Sequence, residues 1–385
     1  MQLRGRYLWR LWRSARYYKL LLINMNTQKP GNGIFETRQH FEILDGLRGV
    51  AALSVVIFHF MEIVYTDYSK NFIGNGFLAV DFFFCLSGFV IAYAYDNRIE
   101  KIGIREFFKS RLIRLHPLVV LGTVLGVLAL FFDPFGRQAG AYSAGKIVLL
   151  CLASLLLIPF PVMPDRAFNL FGFNAPAWSL FWEYVANIAY AFILSKMSKR
   201  FMLLLLLVAA ALLCYTGYSA GNLMGGWGKD SFWDGGVRVA YSFSAGMLVY
   251  RMGLIIKTKL GFLSMAVLLA LPFIMPWFSV NWLIEVFVVL FYFPLLVALG
   301  AGAQLSSRLR KICVFSGKIS YPLYMTHYAI MWIWGNYYNS YKPDTGQLFL
   351  IITPAVLLLT GFAYIVMKWY DEPVRKYLTK KRYKG

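Results

Sequence analysis

The chain alternates between apolar runs of roughly twenty residues and short polar or basic pieces, and that alternation leaves very few folds open to it. A helix needs about 20 apolar residues to cross the hydrocarbon core of a bilayer. Inside lipid, every backbone N–H and C=O must be satisfied by the segment itself or by a closed barrel. The runs here are continuous rather than alternating, which is a helical pattern. Of 385 residues, 59 % are hydrophobic and only 15 % are charged, too few charges for a water-exposed surface of this size. The expected fold is an all-α polytopic membrane protein.

The expected spans are 43–65, 76–95, 112–132, 178–195, 201–218, 237–252, 260–276, 281–299, 319–337 and 347–368, about ten transmembrane helices in all. The stretch KIVLLCLASLLLIPF, Lys146 to Phe160, is short and ends in a proline-rich turn. Charge decides its reading. If 146–160 does not cross and both termini are cytoplasmic, most of the 39 basic residues fall on the cytoplasmic side, as the positive-inside bias requires. Only Lys70, Arg137, Lys146, Arg166, Lys229, Arg238 and Lys342 then face outward. A full crossing would invert every later loop. The segment near 146–160 is therefore read as re-entrant, which hints at a cavity open to the outer face. Residues 1–40 read as a basic, aromatic cytoplasmic segment near the headgroups, 41–378 as the membrane domain and 379–385 as a basic tail.

The net charge of +21 has its simplest cause in those loops. No separable soluble basic surface points to nucleic acid, while anionic membrane lipids are natural partners. The four cysteines form no C-x-x-C and the four histidines are scattered, so neither disulfide nor metal site is expected.

Ionisable residues inside the spans carry the functional signal, because each is costly in hydrocarbon and usually faces a partner or a wet cavity. FEILDGLRGVAALSVVIFHF, Phe41 to Phe60, holds Asp45, Arg48 and His59. Arg48 and His59 are eleven residues apart, which puts them within about 20° of one helix face and about 16 Å apart along it. Glu62 follows three residues later, in place to orient the imidazole. Arg111 and Arg114 share a face at the cytoplasmic mouth of the third span, where two guanidinium forks suit phosphate oxygens. Glu183 lies in a span within APAWSLFWEYVANIAY; Tyr321, Tyr324 and His327 recur at three-residue spacing in ISYPLYMTHYAIMW. Asp81 and Ser87 come from VDFFFCLSGFVIAY, with Asp81 read as structural. Snorkelling, anchoring and interhelical hydrogen bonding are the bland explanations for each residue alone. The shared face of Arg48 and His59 favours a site.

Taken together, LDGLRGVAALSVVIFHF, VDFFFCLSGFVIAY, RLIRLHP, AWSLFWEY, ISYPLYMTH and DEPVRKYL resemble, in order, the motifs of the integral-membrane acyltransferase 3 family. The resemblance runs from Phe41 to Leu378. It implies a bacterial inner-membrane enzyme that moves an acyl group, commonly acetyl, from cytosolic acyl-CoA to a hydroxyl of an extracytoplasmic glycan or lipid-linked saccharide. His59 matches the family's essential histidine and Arg48 the arginine of its first motif. Arg111 and Arg114 match its paired arginines, assigned to the CoA end. Glu183 and His327 match recurrent positions, with Glu183 taken as catalytic. Asp45, Glu62, Tyr324 and His327 are expected to line the site. Some members carry a fused extracytoplasmic domain, so a stand-alone enzyme or a separate extracytoplasmic partner is implied here.

His59 can serve as general base toward the acceptor hydroxyl or accept the acyl group itself; the residues leave both open. The competing reading is a transporter or flippase, since buried Arg, His and Glu also mark substrate paths. It predicts internal repeats with matched broken helices, and none is visible.

Overall fold

The computed structural model describes residues 40–136 and 138–382. The basic segment read at 1–40 lies, apart from His40, outside the described residues. Every regular element among them is helical, as the apolar runs require. Besides short helical turns, the helices in order are α1 (Glu42–Val64), α2 (Ala79–Tyr95), α3 (Ile104–Phe132), α4 (Ala144–Leu155), α5 (Ala177–Phe192), α6 (Lys199–Ala220), α7 (Phe232–Arg251), α8 (Phe262–Ala270), α9 (Asn281–Gly302), α10 (Ser307–Thr326), α11 (Tyr328–Tyr341) and α12 (Thr345–Arg382). Six of them, α1, α2 with its leading turn from Gly76, α3, α6, α9 and α12, are long and apolar enough to cross a membrane.

The remaining expected spans form shorter or more polar helices. At nine residues, α8 reaches only about 14 Å. Charged Asp234, Arg238 and Arg251 lie within α7, and the first half of α10 is basic. The difficult segment near 146–160 forms α4, twelve residues long, or about 18 Å. Two helices exceed expectation. α3 begins at Ile104, ahead of the expected 112, so Arg111 joins Arg114 within the spanning helix itself. α12 continues unbroken through DEPVRKYL to Arg382, with a π-helical stretch at Met367–Asp371.

Helix ends follow local chemistry. Asp344 and Gln347 make a reciprocal capping box on α12, satisfying two of the N–H groups a helix start leaves unpaired. Gly221 takes φ +73 just past α6, a left-handed closure that a Cβ would oppose.

α1 is the central element. Leu47, Ala51, Ala52, Val55, Val56, Phe58 and Phe60 bury almost its whole circumference. It runs parallel to α10: Glu42 pairs with Arg310 at 2.6 Å near both starts, and Ser316 Oγ donates to the Gly46 carbonyl at 3.1 Å. Near the other end the rings of His59 and His327 meet. The small residues of LDGLRG permit this approach. A methyl on Gly49 would overlap Ser316, the small-residue packing typical of membrane helices.

α2 and α7 form a second parallel pair. Asp81 holds Arg238 through two oxygens, at 3.1 and 2.6 Å. Asp96, just after α2, holds Arg251 at 2.7 and 2.9 Å. Between these clamps Gly88 and Gly246 lie directly against the partner backbone. Asp81 is thus the structural residue it was read as, fully buried with its countercharge. By contrast, α6 exposes Leu203, Leu204, Leu207 and Val208, and α12 exposes Phe349, Leu350, Leu357 and Leu358. Apolar faces of this size are unsuited to water and suited to lipid.

Candidate active site

Four guanidinium groups from three helices gather around the start of α3. Arg48 comes from α1, Arg111 and Arg114 from α3, and Arg375 from α12; the charges of the other three all act on Arg114. Three of the four have a carboxylate. Arg48 meets Asp45 at 3.4 Å, Arg111 meets Glu183 at 2.6 Å, and Arg375 meets Asp371 at 2.9 Å. Arg114 is exposed and has no hydrogen bond or ion pair among the described residues. Its fork is free for an anion.

Arg375 was not singled out from the sequence, although it stands in DEPVRKYL. It follows the π-helical stretch at Met367–Asp371. Such a stretch inserts an extra residue per turn and re-aims the side chains after it. Buried Asp371 then holds Arg375 one turn away.

About 16 Å further along the same face of α1 stands His59. Its Nδ1 lies 2.5 Å from Glu62 Oε1, and both side chains are 20 % exposed. A carboxylate accepts, so Nδ1 donates, and in the neutral imidazole Nε2 keeps its lone pair. His327 stacks on this ring, with centroids 5.3 Å apart and planes at 23°. It sits at the joint between α10 and α11 and is completely buried. Its Nδ1 donates to the Leu323 carbonyl at 3.1 Å, and its Nε2 has no partner among the described residues. Tyr328 stands edge-on to His59 at 4.9 Å.

One turn of α5 joins the two ends. Glu183 accepts from Arg111 at 2.6 Å and from Ser87 at 3.0 Å. Four residues earlier, Ser179 Oγ lies 2.8 Å from the hydroxyl of Tyr324, whose ring neighbours His327. Two polar groups therefore meet along α5 inside an apolar bundle: Arg111, Glu183 and Ser87 at one end, and Ser179, Tyr324, His327, His59 and Glu62 at the other. Tyr321 stands apart from them and donates to the Leu115 carbonyl at 2.6 Å. Sequence spacing could not have shown that Ser179 meets Tyr324, since a hydroxyl in a span carries no cost that marks it out.

Apolar helices around this polar interior define a polytopic helical membrane protein. The chain belongs to the acyltransferase 3 family: the family's acyltransferase domain matches residues 41–368, and the protein is an acyltransferase. It is 34 % identical over 186 residues to "Protein 2 in picA locus" of Rhizobium radiobacter, covering 46 % of this chain and 93 % of that protein. It is also 37 % identical over 95 residues to "O-acetyltransferase OatA" of Staphylococcus aureus (strain NCTC 8325 / PS 47), covering 24 % of this chain and 14 % of OatA. The second match therefore concerns a small part of that larger protein. No solved structure matches the chain.

Proposed function

We propose that the protein is an O-acyltransferase that takes an acyl group, acetyl in the simplest case, from cytosolic acyl-CoA and delivers it to a hydroxyl of an extracytoplasmic glycan or lipid-linked saccharide. The observation that carries this reading is the division of α1 into two functional ends. A free guanidinium fork stands among three others near its start. A carboxylate-backed histidine with a bare Nε2 stands about 16 Å further on. The likeness to the O-acetyltransferase OatA favours acetyl.

In this reading the chain crosses the bacterial inner membrane about ten times, with α4 only partly inserted and both termini cytoplasmic. Arg114, supported by Arg48, Arg111 and Arg375, holds the CoA phosphates. Planar forks match phosphate oxygens in pairs. Glu183 orients Arg111. The thioester then reaches toward His59. His59 Nε2 removes the acceptor hydroxyl's proton as that oxygen attacks the thioester carbonyl. Glu62 fixes the tautomer and balances the imidazolium that forms. Collapse of the tetrahedral adduct expels the CoA thiolate, which takes a proton back. His327 and Tyr324 pack and position His59.

The test is transfer of radiolabelled acetyl from acetyl-CoA by the purified protein in liposomes, against a panel of surface glycans. Label on a glycan is the expected result. Movement of an intact solute across the bilayer without acetyl transfer would favour the transporter reading instead.

A further inference from the structure

The segment between α4 and α5 contributes a residue that neither the family match nor the motifs single out. Arg166 is one of the arginines that the charge count places on the outer side, and its side chain is 1 % exposed. Ala167 and Phe168 directly after it both take φ 49, a left-handed geometry that non-glycine residues hold only when their surroundings enforce it. The enforcement is visible. Leu170 N–H donates to the Trp227 carbonyl at 2.9 Å, and Lys229 N–H to the Phe168 carbonyl at 3.2 Å. Arg166 itself donates to the Gly172 carbonyl at 3.3 Å.

This places the guanidinium 4.4 Å over the ring of Trp332. Trp332 in turn packs edge-on against Tyr328 at 4.9 Å, the same ring that faces His59 and His327. Three buried atoms around Tyr328 make no hydrogen bond among the described residues: Arg166 Nε, Trp332 Nε1 and His327 Nε2. The first two are donors only. Burying a donor without an acceptor is costly, and these two donors lie on touching side chains.

The carboxylates near Arg166 do not supply the acceptor. Asp165 lies 4.0 Å from Nε and receives the Tyr142 hydroxyl. Asp133 receives the Asn336 amide at 2.6 Å. Both act on the Arg166 charge from a distance, so the site is not strongly cationic, and what it lacks is an acceptor atom. Burial pushes the Arg166 guanidinium down to about 10, so it remains a cation at neutral pH.

We propose that Arg166 and Trp332 form an acceptor subsite beside His59 that selects a sugar bearing a carbonyl-type oxygen, either an amide carbonyl or a carboxylate. This deepens the O-acyltransferase reading and rests on it. The two donors would grip that oxygen, and the grip would present a neighbouring hydroxyl of the same sugar to His59 Nε2.

The test is direct binding, which needs no turnover. Saturation-transfer difference NMR on the full chain in nanodiscs would use the methyl glycosides of glucose, N-acetylglucosamine and glucuronic acid as probes. The expected result is affinity about tenfold higher for one of the oxygen-bearing glycosides than for the glucoside. The N-acetylglucosaminide winning names an amide; the glucuronide winning names a carboxylate. Trp332→Phe leaves an aromatic face near Arg166 but removes the indole N–H together with part of the ring, and it should reduce the preference to within about twofold. Arg166→Gln should do the same; if that variant does not fold, Trp332→Phe decides. Equal binding of the three probes, binding of none, or a preference that survives Trp332→Phe would overturn the subsite. Acetyl transfer is measured separately, and its absence with the preference intact would overturn the reaction and not the pocket.

Discussion

The imidazole rings of His59 and His327 stack in the interior of the bundle, 5.3 Å apart at 23°, but only one of them is open to a substrate. His59 is partly exposed and backed by Glu62; His327 is sealed and backed by the Leu323 carbonyl. Under the proposed reaction the pair divides into a reacting ring and a supporting ring. His59→Ala should abolish acyl transfer. His327→Phe keeps a ring in the stack and should lower kcat by about 10- to 100-fold while leaving measurable turnover. Equal inactivity of the two, in variants with wild-type melting temperatures, would contradict the division.

Glu62 hydrogen-bonds His59, so in the proposed reaction its loss should act on chemistry alone. Glu62→Gln should reduce kcat by about 10²- to 10⁴-fold, as removal of a histidine-orienting carboxylate does elsewhere. The KM for acetyl-CoA should stay within about twofold. Steady-state kinetics in liposomes measures both.

Arg114→Lys retains the charge and loses the planar fork. Because the guanidinium of Arg114 is the uncommitted one, this change should raise the KM for acetyl-CoA about tenfold with kcat preserved at saturation. Glu183→Gln should raise the same KM by releasing Arg111. A Glu183→Gln variant that lost kcat and kept its donor KM would place Glu183 in the chemistry instead.

The buried Asp81–Arg238 pair predicts an asymmetry in stability. Arg238→Met strands a buried carboxylate and should cost about 3–5 kcal/mol. Adding Asp81→Leu removes the stranded charge and should recover most of that loss. Thermal unfolding of the single and double variants in detergent makes the comparison.

The proposed crossing pattern puts Lys229 outside and Lys257 inside, and both are exposed. Lys229→Cys should react with an impermeant maleimide on intact cells. Lys257→Cys should react only after permeabilisation. The native cysteines are buried or half-buried, which keeps the background low. The reverse pattern would invert the topology.

Much of the site was legible because α1 is a regular helix. Two polar residues eleven apart had to share a face, and Glu62 had to reach His59. Tyr324 and His327 were visible as a repeated face for the same reason. What the sequence hid depends on tertiary contact. Nothing local pairs Glu183 with Arg111, 72 residues away in the chain. The reach of α12 through a π-helical stretch brings Arg375 to the cluster, and hydropathy ends the span before it. Arg166 read only as an outer-side charge because its burial comes from two left-handed residues and contacts to Trp227 and Lys229, which no periodicity announces. The span count was less secure for a related reason. α7 and α10 carry charges that are neutralised by neighbours, so their hydropathy understates how they pack.

The most direct test of the central claim compares the wild type with His59→Ala in sealed vesicles supplied with radiolabelled acetyl-CoA on the cytoplasmic face only. The account predicts that label reaches glycan on the opposite face with the wild type, and that the variant binds acetyl-CoA normally but transfers none. Undiminished transfer by His59→Ala would contradict it.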